Sequence, residues 1–100
     1  MTGRRTFSAA MNAASLLELH TAATFVGEPT GSRPNFVGES TSFVLPCTRY
    51  RVYCSSRYWQ HVVSTDTRPW IAPAIVAEPS FADYAGRRDP VLEAILARFP

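Results

Sequence analysis

Ser8 lies in Gly3-Arg4-Arg5-Thr6-Phe7-Ser8-Ala9-Ala10-Met11-Asn12, where a polar start gives way to an alanine- and leucine-rich run. Thr6 is a good N-cap, and the residues after Ser8 read as an amphipathic helix to about His20. Phe7, Ala10, Met11, Ala14 and Leu17 recur at helical spacing as the inward face, with Asn12, Ser15 and Glu18 on the other. Ser8 then falls in the first turn, where unpaired N–H groups and the positive dipole end favour developing negative charge. A serine nucleophile uses that setting, because attack on a carbonyl builds an oxyanion, and the Ala9 N–H is the natural local donor. The same position equally suits a serine that only bonds the helix backbone.

A serine hydroxyl stays a weak nucleophile until a base within hydrogen-bond reach accepts its proton. His20 sits twelve residues along the same helix, about 18 Å away at the helical rise, and reads as a C-terminal cation instead. His61 is the base candidate within the chain, or else a surface or partner-facing histidine. Asp66, in polar Ser64-Thr65-Asp66-Thr67, and Glu39 are the acids that could support a base. Asp66 reads as readily as a turn aspartate bonding its own backbone. Cys47 and Cys54 lack metal-ligand spacing and a neighbouring histidine, so no metal site is expected. They read as small buried or half-buried side chains, with a disulfide left open.

The elements that must position these groups are short. Thr24-Phe25-Val26 predicts a strand after the helix, followed by a loop through Gly31 to about Gly38. Within it, Glu28-Pro29-Thr30-Gly31 suits a type I turn. The glycines there do not make a phosphate loop, since the spacing is one residue short and the lysine is missing. Ser42–Pro46 and Tyr50–Cys54 predict a hairpin over about 42–54 with one buried and one wet face. Tyr58 to Val63 and Trp70 to Val76 read as further extended stretches, with Pro73 marking a bend or an edge. Ser80-Phe81-Ala82-Asp83 matches a capping box for a helix near 81–86 that Gly86 can stop. Asp89-Pro90 opens another over about 90–98, whose Val91, Leu92, Ile95, Leu96 and Phe99 form an apolar stripe that must pack on something.

One hundred residues, 46% apolar and 18% charged, describe one small folded domain and exclude a disordered chain. A net charge of +2 with scattered arginines gives no basis for nucleic-acid binding. No apolar run approaches the length of a membrane span. Arg4-Arg5-Thr6-Phe7 does not continue into the apolar core of an export signal, because Asn12, Glu18 and His20 interrupt it.

Several segments, in order, carry a family resemblance: Thr6-Phe7-Ser8-Ala9-Ala10, Gly27-Glu28-Pro29-Thr30-Gly31, Tyr58-Trp59-Gln60, Arg68-Pro69-Trp70-Ile71-Ala72-Pro73 and Asp89-Pro90-Val91-Leu92. Together they resemble the C-terminal part of the tail-specific (C-terminal-processing) serine peptidase family, in its tricorn-core-like branch. The resemblance implies an α/β fold of crotonase/ClpP-like type, built from stacked ββα turns, with Ser8 as nucleophile. It also implies a peptide or protein substrate, no cofactor, and relatives that are often exported. Many members use a lysine about twenty-five residues after the serine; here that position is Arg33, and the chain has no lysine. Arginine stays protonated and cannot be that base. The tricorn-like branch instead supplies a histidine from upstream, with an acid from the region where Asp66 falls. Ala74 stands where the family often has aspartate. Residues 1–100 are therefore expected to be an incomplete C-terminal part of the catalytic domain, inactive alone and completed by an upstream segment or chain. A non-catalytic ligand- or peptide-binding module of the same fold, or an inert truncated product, are the alternatives.

Overall fold

Alanine and leucine dominate residues 9–19, and these strong helix formers produce α1, Ala9–His20. The computed structural model describes residues 1–99 of the chain. After α1 come β1 (Val26–Gly27), β2 (Phe36–Val44), β3 (Arg51–Trp59), β4 (Ile75–Val76), α2 (Phe81–Ala85) and α3 (Pro90–Arg98). The chain is thus a mixed α/β structure with two small sheets.

The first sheet is parallel, and its strand β1 lies against α3. β1 pairs with β4, Val26 opposite Ile75, and Thr2 bridges Gly27 in parallel on the other side. The Thr2 N–H donates to Val26 O at 2.9 Å and the Glu28 N–H to Thr2 O at 3.1 Å. Gly27 is required here: its φ is 124°, and a Cβ would lie 2.3 Å from Thr2 O. Of the extended stretch expected over 70–76, only Ile75 and Val76 enter a sheet.

The second sheet is the hairpin of β2 and β3, antiparallel from Phe36–Trp59 to Val44–Arg51 and closed by Leu45 N–H to Tyr50 O at 2.9 Å. It is far longer than the expected 42–54, and it absorbs Tyr58 and Trp59. The expectation of one buried face also fails. Val37, Phe43, Tyr53 and Tyr58 are all exposed, because the two strands pack chiefly on each other. Cys47 and Cys54 are exposed free thiols rather than buried ones, since both belong to this arm.

Both C-terminal helices begin as their caps dictate. The Ser80 hydroxyl accepts from Asp83 N–H, and the Asp83 carboxylate accepts from Ser80 N–H at 3.0 Å. The Asp89 carboxylate accepts from Val91 and Leu92 N–H, with Pro90 at the first helical position. The α3 stripe is only partly covered. Val91 is buried against β1, whereas Leu92, Leu96 and Phe99 stay exposed.

The core is small: Met11, Ala14 and Ile71, with Phe25 and Phe36 packed against them. The buried face of α1 is rotated from the expected one. Met11, Ala14 and Ser15 point inward, while Phe7, Ala10 and Leu17 are exposed, because Ile71 and Phe36 provide the cover on that side. Ser15 Oγ is enclosed there without a hydrogen-bond partner among the described residues. The surface totals 7397 Å², against about 5,700 Å² for a compact monomer of this mass. The radius of gyration, 17.4 Å, likewise exceeds the roughly 13 Å of a compact 100-residue domain.

Candidate active site

The serine loop is built from three short-range devices. Thr6 N–H donates to Gly3 O at 2.7 Å and Gly3 N–H to Thr6 Oγ1 at 3.0 Å, which closes a tight turn. Thr6 is therefore committed to that turn and does not cap α1; the N-cap is Ser8 itself. Ser8 precedes the first turn instead of lying in it, at φ 55° and ψ −125°, and its side chain makes no capping bond. A positive φ at a residue carrying a Cβ is a strained arrangement that persists only where the surroundings impose it.

The Gly-Glu-Pro-Thr-Gly segment docks on the chain just before Ser8. Gly31 N–H donates to Thr6 O at 2.9 Å, so it is not spent on the expected type I turn. A Cβ on Gly31 would lie 2.0 Å from Arg4 O, so the two backbones meet only because Gly31 has none. Thr30 fastens the same segment to the core. Its N–H donates to Ile71 O, and its buried hydroxyl accepts from Ile71 N–H at 2.8 Å.

Ser8 is exposed and opens onto two cavities. One, of about 100 Å³, is lined by Ser8, Ala9, Asn12, Phe36, Gly38, Glu39 and Trp59. The other, of about 230 Å³, runs past Arg4, Phe7, Gly31, Ser32 and Val37. The Ala9 N–H has no acceptor among the described residues and heads the helix beside Ser8. An exposed hydroxyl, an open N–H and the positive end of α1 share one small hollow.

His61 approaches this hollow without reaching Ser8. Its Nε2 lies 2.9 Å from Asn12 Oδ1, and its ring stacks on Trp59 at 6.1 Å and 8°. With the amide oxygen facing the ring, Nε2 is the donor of this hydrogen bond. The buried Asn35 side chain fixes the backbone beneath it. Asn35 Oδ1 accepts from His61 and Val62 N–H, and Nδ2 donates to Val62 and Val63 O. Among the described residues, no hydrogen bond joins His61 to Ser8; Asn12, one turn along α1, stands between them.

Asp66 is placed elsewhere. Its carboxylate accepts from Arg68 Nε at 3.0 Å and from the Arg68 N–H, and Arg68 reaches on to both oxygens of Glu18. The Arg68 side-chain hydrogen bond, seconded by the backbone one, holds the Asp66 carboxyl below the usual carboxylate range. Glu18 first, and then Asp66, raises Arg68 further above its ordinary value. This clamp ties the 64–68 turn to α1. The acid lining the serine cavity is Glu39, itself at φ 48° and 3.5 Å from Arg57. Arg33 lines a neighbouring cavity, and His20 ends α1.

Sequence reasoning passed over Asn12 and Asn35. Asn12 is four residues after Ser8, and helical side chains tilt back over the preceding turn, so the spacing alone could have placed it beside the serine. Asn35 carries no local signal, because its partners lie 26 to 28 residues away. Among the described residues, no three His, Cys, Asp or Glu side chains converge as a metal site would need, and no helix is long and apolar enough to cross a membrane. No protein-family model, no curated protein and no solved structure matches the chain.

Proposed function

We propose that Ser8 is the nucleophile of a serine-type peptidase of the tail-specific family, and that this chain is the C-terminal part of its crotonase-like catalytic domain. The observation that carries the reading is the backbone of Ser8. A non-glycine residue sits at φ 55° at the head of a helix, with its hydroxyl free of any capping bond. Strain of this kind gathers where a side chain must be presented outward, as in the sharp turns that expose a nucleophilic serine.

In the proposed reaction Ser8 Oγ attacks the peptide carbonyl carbon and passes its proton to a base. The oxyanion is met by the Ala9 N–H and the positive end of α1. The protonated base returns the proton to the leaving amine, and water then hydrolyses the acyl-enzyme ester. Among the described residues no side chain bonded to Ser8 can serve as that base, since His61 is engaged by Asn12. The 100-residue chain alone is therefore expected to turn over peptides several orders of magnitude more slowly than a completed domain. A peptide-binding module of the same fold is the second reading, favoured by the lack of any base bonded to Ser8 among the described residues.

The test is to treat the full-length protein with a serine-reactive phosphonate and locate the label by mass spectrometry. Label on Ser8, with turnover lost in Ser8→Ala, supports the nucleophile. Turnover that survives Ser8→Ala refutes it.

A further inference from the structure

The 230 Å³ cavity at Ser8 does not end at the serine. It shares Ser32, Phe36 and Val37 with an adjoining cavity of about 400 Å³, whose other walls include Arg33, Tyr58 and Pro69. The two together form a groove that leads away from Ser8 along one end of β2. Its walls mix apolar Phe7, Phe36, Val37 and Pro69 with polar Ser32 and Asn35; Arg4 borders the half at Ser8, and Arg33 is the charged residue of the far half.

Four of the chain's ten arginines are ion-paired among the described residues, and Arg33 is one of the six that are not. Arg4 is paired with Glu28, Arg57 with Glu39, Arg68 with Glu18 and Asp66, and Arg88 with Asp83 and Glu93. Asp89 is occupied as a helix cap. The guanidinium of Arg33 makes no ion pair or hydrogen bond among the described residues, and its side chain stays exposed. The backbone that carries it is nevertheless firmly set. Pro34 is fully buried, and Asn35 is buried and clamped onto residues 61–63. A permanently charged, planar five-donor group on a rigid platform at the edge of that groove matches a carboxylate better than any neutral group.

We propose that this cavity binds a carboxylate of the peptide whose backbone passes Ser8, so that Arg33 selects acidic substrates. The proposal rests on the peptidase reading for the word substrate. The binding itself requires no acyl transfer. Phe36, Val37 and Tyr58 take the apolar part of the chain, and Arg33 takes the charge. The carboxylate can come from an Asp or Glu side chain or from a free C-terminus, and the two sources are separable.

The test uses the 100-residue chain carrying Ser8→Ala, so that bound peptide stays intact, and fluorescence anisotropy with fluorescein-labelled unstructured peptides. One set, blocked at both ends, contains a Phe and a single Glu moved through successive positions. A second replaces Glu by Gln. A third keeps Gln but ends in a free carboxylate. At least one carboxylate-bearing peptide is expected to bind about tenfold more tightly than its Gln, end-blocked counterpart, the increment of one charge-assisted hydrogen-bonded contact. Arg33→Gln should erase the difference, and Arg33→Glu should reverse it in favour of a Lys peptide. Which set gains identifies the source of the carboxylate. Equal affinity across all three sets, absence of binding, or a preference that survives Arg33→Gln overturns the proposal. Failure of Ser8 to take the phosphonate leaves these binding results standing, so the two readings fail separately.

Discussion

Replacing Ser8 by glycine and by alanine distinguishes a strained residue from a helix cap. At φ 55° and ψ −125° the Cβ of Ser8 occupies backbone territory that suits glycine, and residues held in such regions store about 1–3 kcal/mol. Glycine removes the strain but adds about 0.4–1 kcal/mol of unfolded-chain freedom. The net expectation for Ser8→Gly is a stabilisation of about 1 kcal/mol by these two terms. Alanine keeps the Cβ and its strain, and it deletes a hydroxyl that caps nothing. Ser8→Ala should therefore stay within about 0.5 kcal/mol of the parent. A working cap gives the opposite order, since alanine at a capping serine costs about 0.5–2 kcal/mol and glycine only a few tenths. Urea unfolding with matched slopes reads the three chains directly, and in thermal melts 1 kcal/mol corresponds to about 4–8 °C for a domain of this size. If alanine is destabilised by more than about 1 kcal/mol with glycine between it and serine, the hydroxyl caps α1 in solution and the strain argument is wrong.

Two further outcomes follow from the polar clamps. Asn35→Ala leaves the His61 and Val62 N–H groups and the Val62 and Val63 carbonyls without their partner. Unfolding should cost about 2–3 kcal/mol less than in the parent, and NMR should show the His61 ring losing its Asn12 contact; a change below about 0.5 kcal/mol would mean the clamp is idle. For acid stability, the Asp66 and Asp83 carboxyls are both depressed in the fold, by hydrogen bonds from Arg68 and Ser80 respectively. Their contribution is complete above the ordinary carboxylate value of about 4 and fades as pH falls through the lower folded values. Melting temperature should drop below about pH 4, and Asp66→Asn should flatten that drop; an unchanged acid slope in the variant would contradict the assignment.

Local signals were legible and tertiary ones were not. The Ser80/Asp83 box and the Asp89-Pro90 start lie within four residues of the groups they bond, so the sequence alone located α2 and α3. The alanine-rich run likewise located α1. The inward face of α1 was misread, because it depends on Ile71 and Phe36, which no local pattern announces. Thr6 and Ser8 are both good capping types. The Thr6 side chain is spent on the turn with Gly3, which decides between them. Alternation in the hairpin promised a buried face, yet alternation reports only what could be buried, and the arm has little to pack against. In the site, Ser8 was visible from its helix start, whereas Asn35 was not, because its role exists only once residues 61–63 arrive.

The contact of Gly31 with the serine loop also bears on the order of folding. The turn of Gly3 and Thr6 and the first turn of α1 are local and form early, but neither demands a positive φ at Ser8. The docking of Gly31 on Arg4 and Thr6 is long-range, and Thr30 in turn waits for Ile71, 41 residues further along. Closing these loops is the entropically slow part of assembly. Strain that accompanies this closure is felt at the main barrier as well as in the native state, so relieving it speeds folding as well as slowing unfolding. The Ser8 hydroxyl takes up its outward pose only after the surrounding chain is in place.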